Sequence, residues 1–398
     1  MVNTLDHLPL LPLFVHYSYT PHYAPIVLGK DEFGIYHTLR LHDRIRHIKL
    51  SLPPSILHKA LALMKENFPI LEHLSLSWWS FLADNGHRLP LTLPKAFLAP
   101  NLHHLTLIGI GLPKRLRVLT STVSLVTLEL RNIQTSSYFR PRLLVARLRS
   151  LPLLEKLTIS FSIPIPSPRT ERELLGENGA PITLPSLKSL WFYGVGAYLE
   201  SLDAQIRVPL LEQLYIGLFN QIAFVLPHMF SLINNKNVFK LSSQTAVGFA
   251  HNEAGIAMSH DHGLGRIFFF LCVRCRPLDW QIDCVAQICH GLIPTLSGVD
   301  ELTLQHNLGE ISTELRNGAI DSATWHDLLR TFIGMKQLRI GNALLEELSR
   351  ALQVDEVGLD PEFLPNLQSI RATDNLFTSF IDTRQVVGRP VQFERSRW

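Results

Sequence analysis

Cysteine is scarce here. Four occur in 398 residues, all between positions 272 and 289. A secreted disulfide scaffold would use many more, so reduced thiols are expected. Long hydrophobic runs are missing too. No stretch reaches the about 18 apolar residues of a membrane-spanning helix, and the longest run, IFFFLCV (267–273), has the length of a strand. The N-terminal LPLLPLFV (8–15) lacks an upstream Lys or Arg and is cut by prolines, which makes it a poor signal peptide. The chain has no Asn-x-Ser/Thr acceptor. These absences point to an intracellular protein, with cytoplasm and nucleus left open. One-sided charge is also lacking. The net charge is +3, and the densest basic stretch, Arg140, Arg142, Arg147 and Arg149, alternates with leucines like the wet face of a helix. Neither nucleic acid nor a membrane is an expected partner.

Catalytic signatures are wanting as well. GIGLPKR (109–115) has glycines and a lysine but not the spacing of a phosphate-binding loop, and G-x-S-x-G is absent. Cys272 and Cys275 are followed by CVAQIC, which puts Cys284 and Cys289 five apart on a helix and pointing different ways. Zinc needs four converging ligands, so these read as small core residues. His260-Asp261-His262 lies in a Gly-flanked turn with no third ligand in sight. Glu346-Glu347 and Asp355-Glu356 read as surface charges. No catalytic residue, metal ligand or cofactor site is expected, and the chain reads as non-enzymatic.

What the chain does have is one phrase, repeated loosely. LPLLEKLTIS (151–160) compares with FPILEHLSLS (68–77), APNLHHLTLI (99–108), LPSLKSLWFY (184–193), VPLLEQLYIG (208–217) and LPNLQSIRAT (364–373). Its central apolar residue marks each copy: Ile48, Leu74, Leu105, Leu128, Leu157, Leu190, Leu214, Leu302, Leu338 and Ile370. Successive markers are 23 to 36 residues apart, with one gap of 88. That spacing is the leucine-rich-repeat range and slightly beyond. In LEKLTI, alternate residues face opposite ways, which is a strand. Segments of helical period lie between the phrases at 55–67, 140–151, 196–207, 322–333 and 343–353. Proline recurs just before the phrase, at 69, 100, 152, 185, 209 and 365, and is expected to stop the preceding helix.

The fold expected is α/β: an irregular leucine-rich-repeat-like solenoid with a curved parallel sheet, helices on the outer face and a small β-meander insertion. The Asn ladder of regular repeats is absent, so the turns must be satisfied otherwise. The expected domains are a cap segment over 1–38, repeats over 39–216, an insertion with three short strands over 217–296, repeats again over 297–373, and a loosely ordered tail over 374–398. A loop over 162–185 is expected to carry a short helix from Pro168 to Leu175.

The stretches LRLHDRIRHIKLSLPPSIL (39–57), LPKAFLAPNLHHLTLIGIGLPKRL (93–116), LPLLEKLTISFSIPIPSPRTERELL (151–175), GVGAYLESLDAQIRVPLLEQLYIGLFNQ (194–221) and TWHDLLRTFIGMKQLRI (324–340) carry a resemblance. The chain resembles the F-box/leucine-rich-repeat-like proteins expanded in mushroom-forming fungi, from about residue 10 to 370. The resemblance implies recognition of a protein ligand as the substrate-binding part of an F-box-type ubiquitin-ligase receptor. It implies an SCF-type adaptor as partner only if an F-box, the helical module that docks that adaptor, exists upstream, because the opening MVNTLDHLPLLPLFVHYSY does not read as one. Two other readings stay open: a truncated or degenerate repeat protein without ligase docking, and a hydrolase or metal enzyme using 245–290.

Alternation turns one set of side chains away from the core: His104, Thr106, Thr127, Glu129, Arg131, Lys156, Thr158, Ser160, Ser189, Trp191, Tyr193, Gln213, Tyr215, Thr303, Gln305, Lys336 and Arg339. Trp191, Tyr193 and Tyr215 are expected to cluster on neighbouring strands. With Arg131, Lys156, His104 and Arg339 they are the candidate protein-binding residues, since Trp, Tyr and Arg dominate interface energies. The competing reading covers these rings with the 217–296 insertion or the 162–185 loop.

Overall fold

Leucine at every second position of a short strand gives each strand one apolar face, and that face is what the fold buries. A computed structural model of the chain describes residues 11–18, 29–78, 91–113, 117–163, 180–219, 226–235, 239, 243–250, 252–259, 267–275, 278–306, 322–353 and 363–396. The chain divides into two units, 1–211 and 212–398.

In the first unit, β1 (Leu13–Ser18), β2 (Ile45–Leu52), β3 (His73–Trp78), β4 (His104–Ile108), β5 (Thr127–Ile133) and β6 (Lys156–Phe161) pair in chain order. The short β7 (Ile182–Thr183) stands apart, and β8 (Ser189–Gly194) pairs with β6. All these neighbours are parallel. β7 pairs with β9 (Ile206–Arg207) in a separate two-stranded sheet. The markers fall into one register row, Ile48, Leu74, Leu105, Leu128, Leu157 and Leu190. Beside it runs Leu50, Leu76, Leu107, Leu130, Ile159 and Phe192. Both rows are buried. Each such side chain contributes roughly 1.5–3 kcal/mol on leaving water. The helices of this unit are Gly29–Leu39, Pro54–Leu63, Arg117–Ser121, Pro141–Leu148 and Gly196–Asp203. Pro54 and Pro141 open theirs, where the missing N–H costs nothing. Helix Pro54–Leu63 buries Ile56, Leu57, Ala60 and Leu61, a stripe of helical period.

The second unit holds β10 (Gln213–Phe219), β11 (Gln244–Ala250), β12 (Glu253–Ser259), β13 (Ile267–Arg274), β14 (Glu301–His306), β15 (Gln337–Ile340), β16 (Ser369–Ala372) and β17 (Gln392–Arg395). Their spatial order is β10-β13-β12-β11-β14-β15-β16-β17. β11, β12 and β13 form an antiparallel meander. Its outer strands pair in parallel, β13 with β10 and β11 with β14, so the meander sits within the sheet. Leu302, Leu338 and Ile370 again share one register row. The helices are Pro227–Asn235, Leu278–Gly291, Ile293–Leu296, Ser322–Arg330, Leu345–Ala351 and Thr378–Val386.

The recurring prolines do a different task from the one expected. The preceding helices end four or more residues earlier, at Leu63, Leu148 and Asp203. Each proline is instead the second residue of a tight turn. Leu71 N–H bonds to Phe68 O, Leu102 to Ala99, Leu154 to Leu151, Leu187 to Leu184, Leu211 to Val208 and Leu367 to Leu364, at 3.2–3.4 Å. Proline's fixed φ suits that second position. The first and fourth residues of each turn are buried.

The missing Asn ladder is replaced by main chain. The carbonyl two residues before one marker accepts N–H bonds from the next repeat, usually two at once. Glu72 O takes His103 and His104, Val126 O takes Glu155 and Lys156, and Asp300 O takes Lys336 and Gln337, all at 2.8–3.1 Å. Two asparagines add side-chain ties between turns, Asn101 Nδ2 to Pro69 O at 2.7 Å and Asn366 Nδ2 to Ile333 O at 2.9 Å.

The tail expected to be loose is structured. Thr378–Val386 is helical, and β17 adds to β16 in parallel. Arg384 is buried there and donates to Phe363 O and Leu364 O at 3.0 and 3.1 Å, which ties the helix down. The sparse apolar pattern of the tail concealed this, because one of its anchors, beside the buried Phe377 and Phe380, is a cation. The expected helix at 168–175 lies outside the described residues.

Candidate functional site

The polar face of the first unit's sheet is laid out by the same register as its core. One row runs Phe14, His47, His73, His104, Thr127, Lys156, Ser189. The next runs Lys49, Ser75, Thr106, Glu129, Thr158, Trp191. At its β5–β8 end the expected residues Arg131, Lys156 and Trp191 come together around Glu129. Lys156 Nζ reaches Glu129 Oε1 at 2.5 Å, and Arg131 Nη2 reaches Oε2 at 3.1 Å. The Arg131 guanidinium lies 6.0 Å from the centre of the Trp191 ring, two strands away. The local backbone explains that reach. Register shifts between Leu130 and Ile133, and Asn132 takes a φ of 55°, a left-handed conformation that asparagine tolerates. Such a bulge re-aims a side chain. Here Arg131 bends back to Glu129 and over the indole.

Trp191 is 37% exposed, although it carries the largest side chain of the row. Thr158, between Glu129 and Trp191 in register, is only 3% exposed, and its Oγ1 has no hydrogen-bond partner among the described residues. The next strand position after Phe192, Tyr193, is half-buried. Behind this face, Phe192 stacks on the fully buried Tyr198 at 5.8 Å, and Phe161 meets Tyr198 edge-on at 4.9 Å. The strand that carries Trp191 is thus packed from behind by a buried aromatic cluster.

His104 belongs to the other end of the face. Its ring lies 5.6 Å from that of His73, which meets His47 edge-on at 4.2 Å. Burial pushes His73 down to about 4, with His47 and His104 adding to it. His47 and His104 are lowered as well, chiefly by burial. The three imidazoles are thus neutral near pH 7. The sequence reading picked out His104 and missed His47 and His73, although each precedes a marker by one residue.

Tyr215 and Arg339 belong to the second unit. Tyr215 pairs with Phe270 of β13, and its hydroxyl donates to Ile267 O at 2.6 Å. The neighbouring strand thus ties down the Tyr215 hydroxyl, while the side chain stays partly exposed. Arg339 Nε lies 2.6 Å from Glu301 Oε1, and Gln244 Nε2 donates to Glu301 Oε2 at 3.1 Å. Its row continues to Arg371, which donates from Nε to Glu394 at 2.9 Å.

All four cysteines are buried thiols, and burial pushes Cys272 and Cys289 up to about 12. Among the described residues no group of three or more His, Cys, Asp or Glu is arranged to hold a metal ion. His260-Asp261-His262 lies outside the described residues. Among the described residues no helix is long and apolar enough to cross a membrane. The chain matches no protein-family model, and no curated protein matches it.

Proposed function

We propose that the chain is a non-enzymatic protein–protein recognition module, an irregular leucine-rich-repeat-like solenoid that holds its ligand on the sheet. The observation that carries this reading is the group on the first unit's polar face. A partly exposed Trp191 lies against Arg131, and Arg131 and Lys156 share Glu129. Trp and Arg are the residue types that carry most interface energy. Glu129 pairs with both cations and keeps them beside the indole. Tyr193 adjoins this anchor and His104 lies on the same face of the first unit, while Tyr215 and Arg339 are candidate contacts on the second unit by itself.

The sequence resemblance extends the proposal. The ligand held there is the substrate of an F-box-type ubiquitin-ligase receptor. A photo-crosslinking amino acid at position 193 tests the surface. Adducts lost in W191A and in the W191A/Y215A double variant, with unchanged circular dichroism, support it. Undiminished adducts in the double variant remove the site. Reconstitution with the ligase adaptor then separates a receptor from a repeat protein that captures its ligand without ligase docking.

A further inference from the structure

Charge is spread unevenly along the chain. Of its 37 Lys and Arg and 34 Asp and Glu, residues 85–154 hold ten and one. That one carboxylate, Glu129, already serves Lys156 and Arg131 on the sheet. Four of the arginines gather at one helix. Helix Pro141–Leu148 buries Pro141, Leu144, Val145 and Leu148. Arg142, Ala146 and Arg149 form its exposed stripe. Arg142 and Arg149 stand two turns apart, roughly 10 Å along the axis. Neither makes an ion pair among the described residues. Arg147 is half-buried, makes no ion pair there either, and its Nε meets no hydrogen-bond acceptor. Arg140 caps the start of the helix and Arg142 lies in its first turn, where no acid accompanies them. The positive end of a helix disfavours cations, so both arginines are kept there at a cost in stability.

We infer that this helix face is an interaction surface for an acidic segment of a partner protein, carried by Arg142 and Arg149 with Arg140 and Arg147 beside them. The inference goes beyond the sheet-face reading and does not rest on it. A guanidinium offers two parallel N–H donors to a carboxylate, and it stays charged at any pH the protein meets. The partner's Asp and Glu side chains supply the counter-charge that the chain withholds from this stretch. A protein suits the surface better than a nucleic acid. Among the described residues of 91–163 no Trp, Tyr or Phe is exposed to stack on a base. Outside 85–154 the chain has more Asp and Glu than Lys and Arg, which works against a long polyanion.

The full chain is titrated with a fluorescein-labelled decaglutamate peptide at low salt, and binding is read by anisotropy. Binding is expected, and R142E/R149E should weaken it about tenfold or more, as should added salt. K65E/R207E changes net charge equally at two exposed positions that make no ion pair, and it should leave binding nearly as it was. W191A should leave it unchanged, which separates this surface from the one on the sheet. An equal loss in K65E/R207E reduces the effect to net charge and overturns the surface, as does a peptide that stays free at low salt. A loss in W191A moves the acidic segment to the sheet and overturns it too. A single- or double-stranded oligonucleotide held more tightly than decaglutamate by the same arginines overturns a protein as the partner. R142E alone should raise the urea midpoint, as an acid in a first helical turn does. A lowered midpoint makes Arg142 a structural residue and overturns its role. Should R142E/R149E fail to fold, R142Q/R149Q decides in its place.

Discussion

The two units use the same short element and join its copies differently. In the first, chain order and spatial order agree, and successive markers pair across parallel strands. In the second, Leu214 and Leu302 are 88 residues apart, and a meander running backwards fills the sheet between their strands. Yet β14 is received as any repeat strand would be. Ser243 O accepts from Asp300 and Glu301, and the buried Thr245 takes the marker place opposite Leu302. The constant part is therefore only the turn, the receiving carbonyl and one strand. Everything between can vary in length, because lengthening a connection costs little closure entropy.

That comparison can be broken in several ways. The largest effect is expected from the markers. Leu128→Ala and Leu338→Ala should each cost about 2–5 kcal/mol, as buried leucine truncations do. Hydrogen exchange should show the loss in the first unit for one and in the second for the other. Equal loss in both would mean that the units share one unfolding event. Arg384→Met should cost about 3 kcal/mol in a denaturant melt, since two carbonyls lose their charged donor. Within the meander, Gly248 and Gly255 face each other across β11 and β12. A Cβ on Gly255 would fall 2.5 Å from Leu271 O, whereas one on Gly248 meets nothing within 4 Å. Gly255→Ala should cost roughly 1–3 kcal/mol, and Gly248→Ala should stabilise by up to about 0.5 kcal/mol. Equal effects would show that the meander can shift freely.

A pH dependence confined to the first unit is expected as well. His73 is held near 4 when folded, against an ordinary 6.5. The unfolded chain therefore takes up the proton first, so stability is full above pH 6.5 and falls as pH drops toward 4. Partial solvent contact limits the loss to about 2 kcal/mol. His73→Gln should flatten a urea midpoint measured across that window. An unchanged slope would mean that the imidazoles do not act as a group.

Much of this arrangement was legible. Alternation located the marker row and the polar rows from His104 and Thr106 onward, though not their earlier members His47, His73, Lys49 and Ser75, because a buried leucine at every second position leaves a strand only one register. The meander's three strands were readable from their turn formers. Its reversed order was not, since no local signal says which strand a hairpin will join. The Arg131 contact was hidden by a one-residue bulge. Prolines were readable as punctuation but not as turn residues, because a helix stop and a second turn position leave the same trace in sequence.

The recurring turn also has a practical side. Its third position carries Ile70, Leu153 and Leu210 exposed to water, while other copies place Asn101, Ser186 and Asn366 there. The chain has thus already sampled polar side chains at this site and kept its turn. Leu153→Asn and Leu210→Ser copy a choice the protein makes elsewhere, and such changes offer a route to better-behaved preparations that leaves both the buried rows and the polar rows of the sheet untouched.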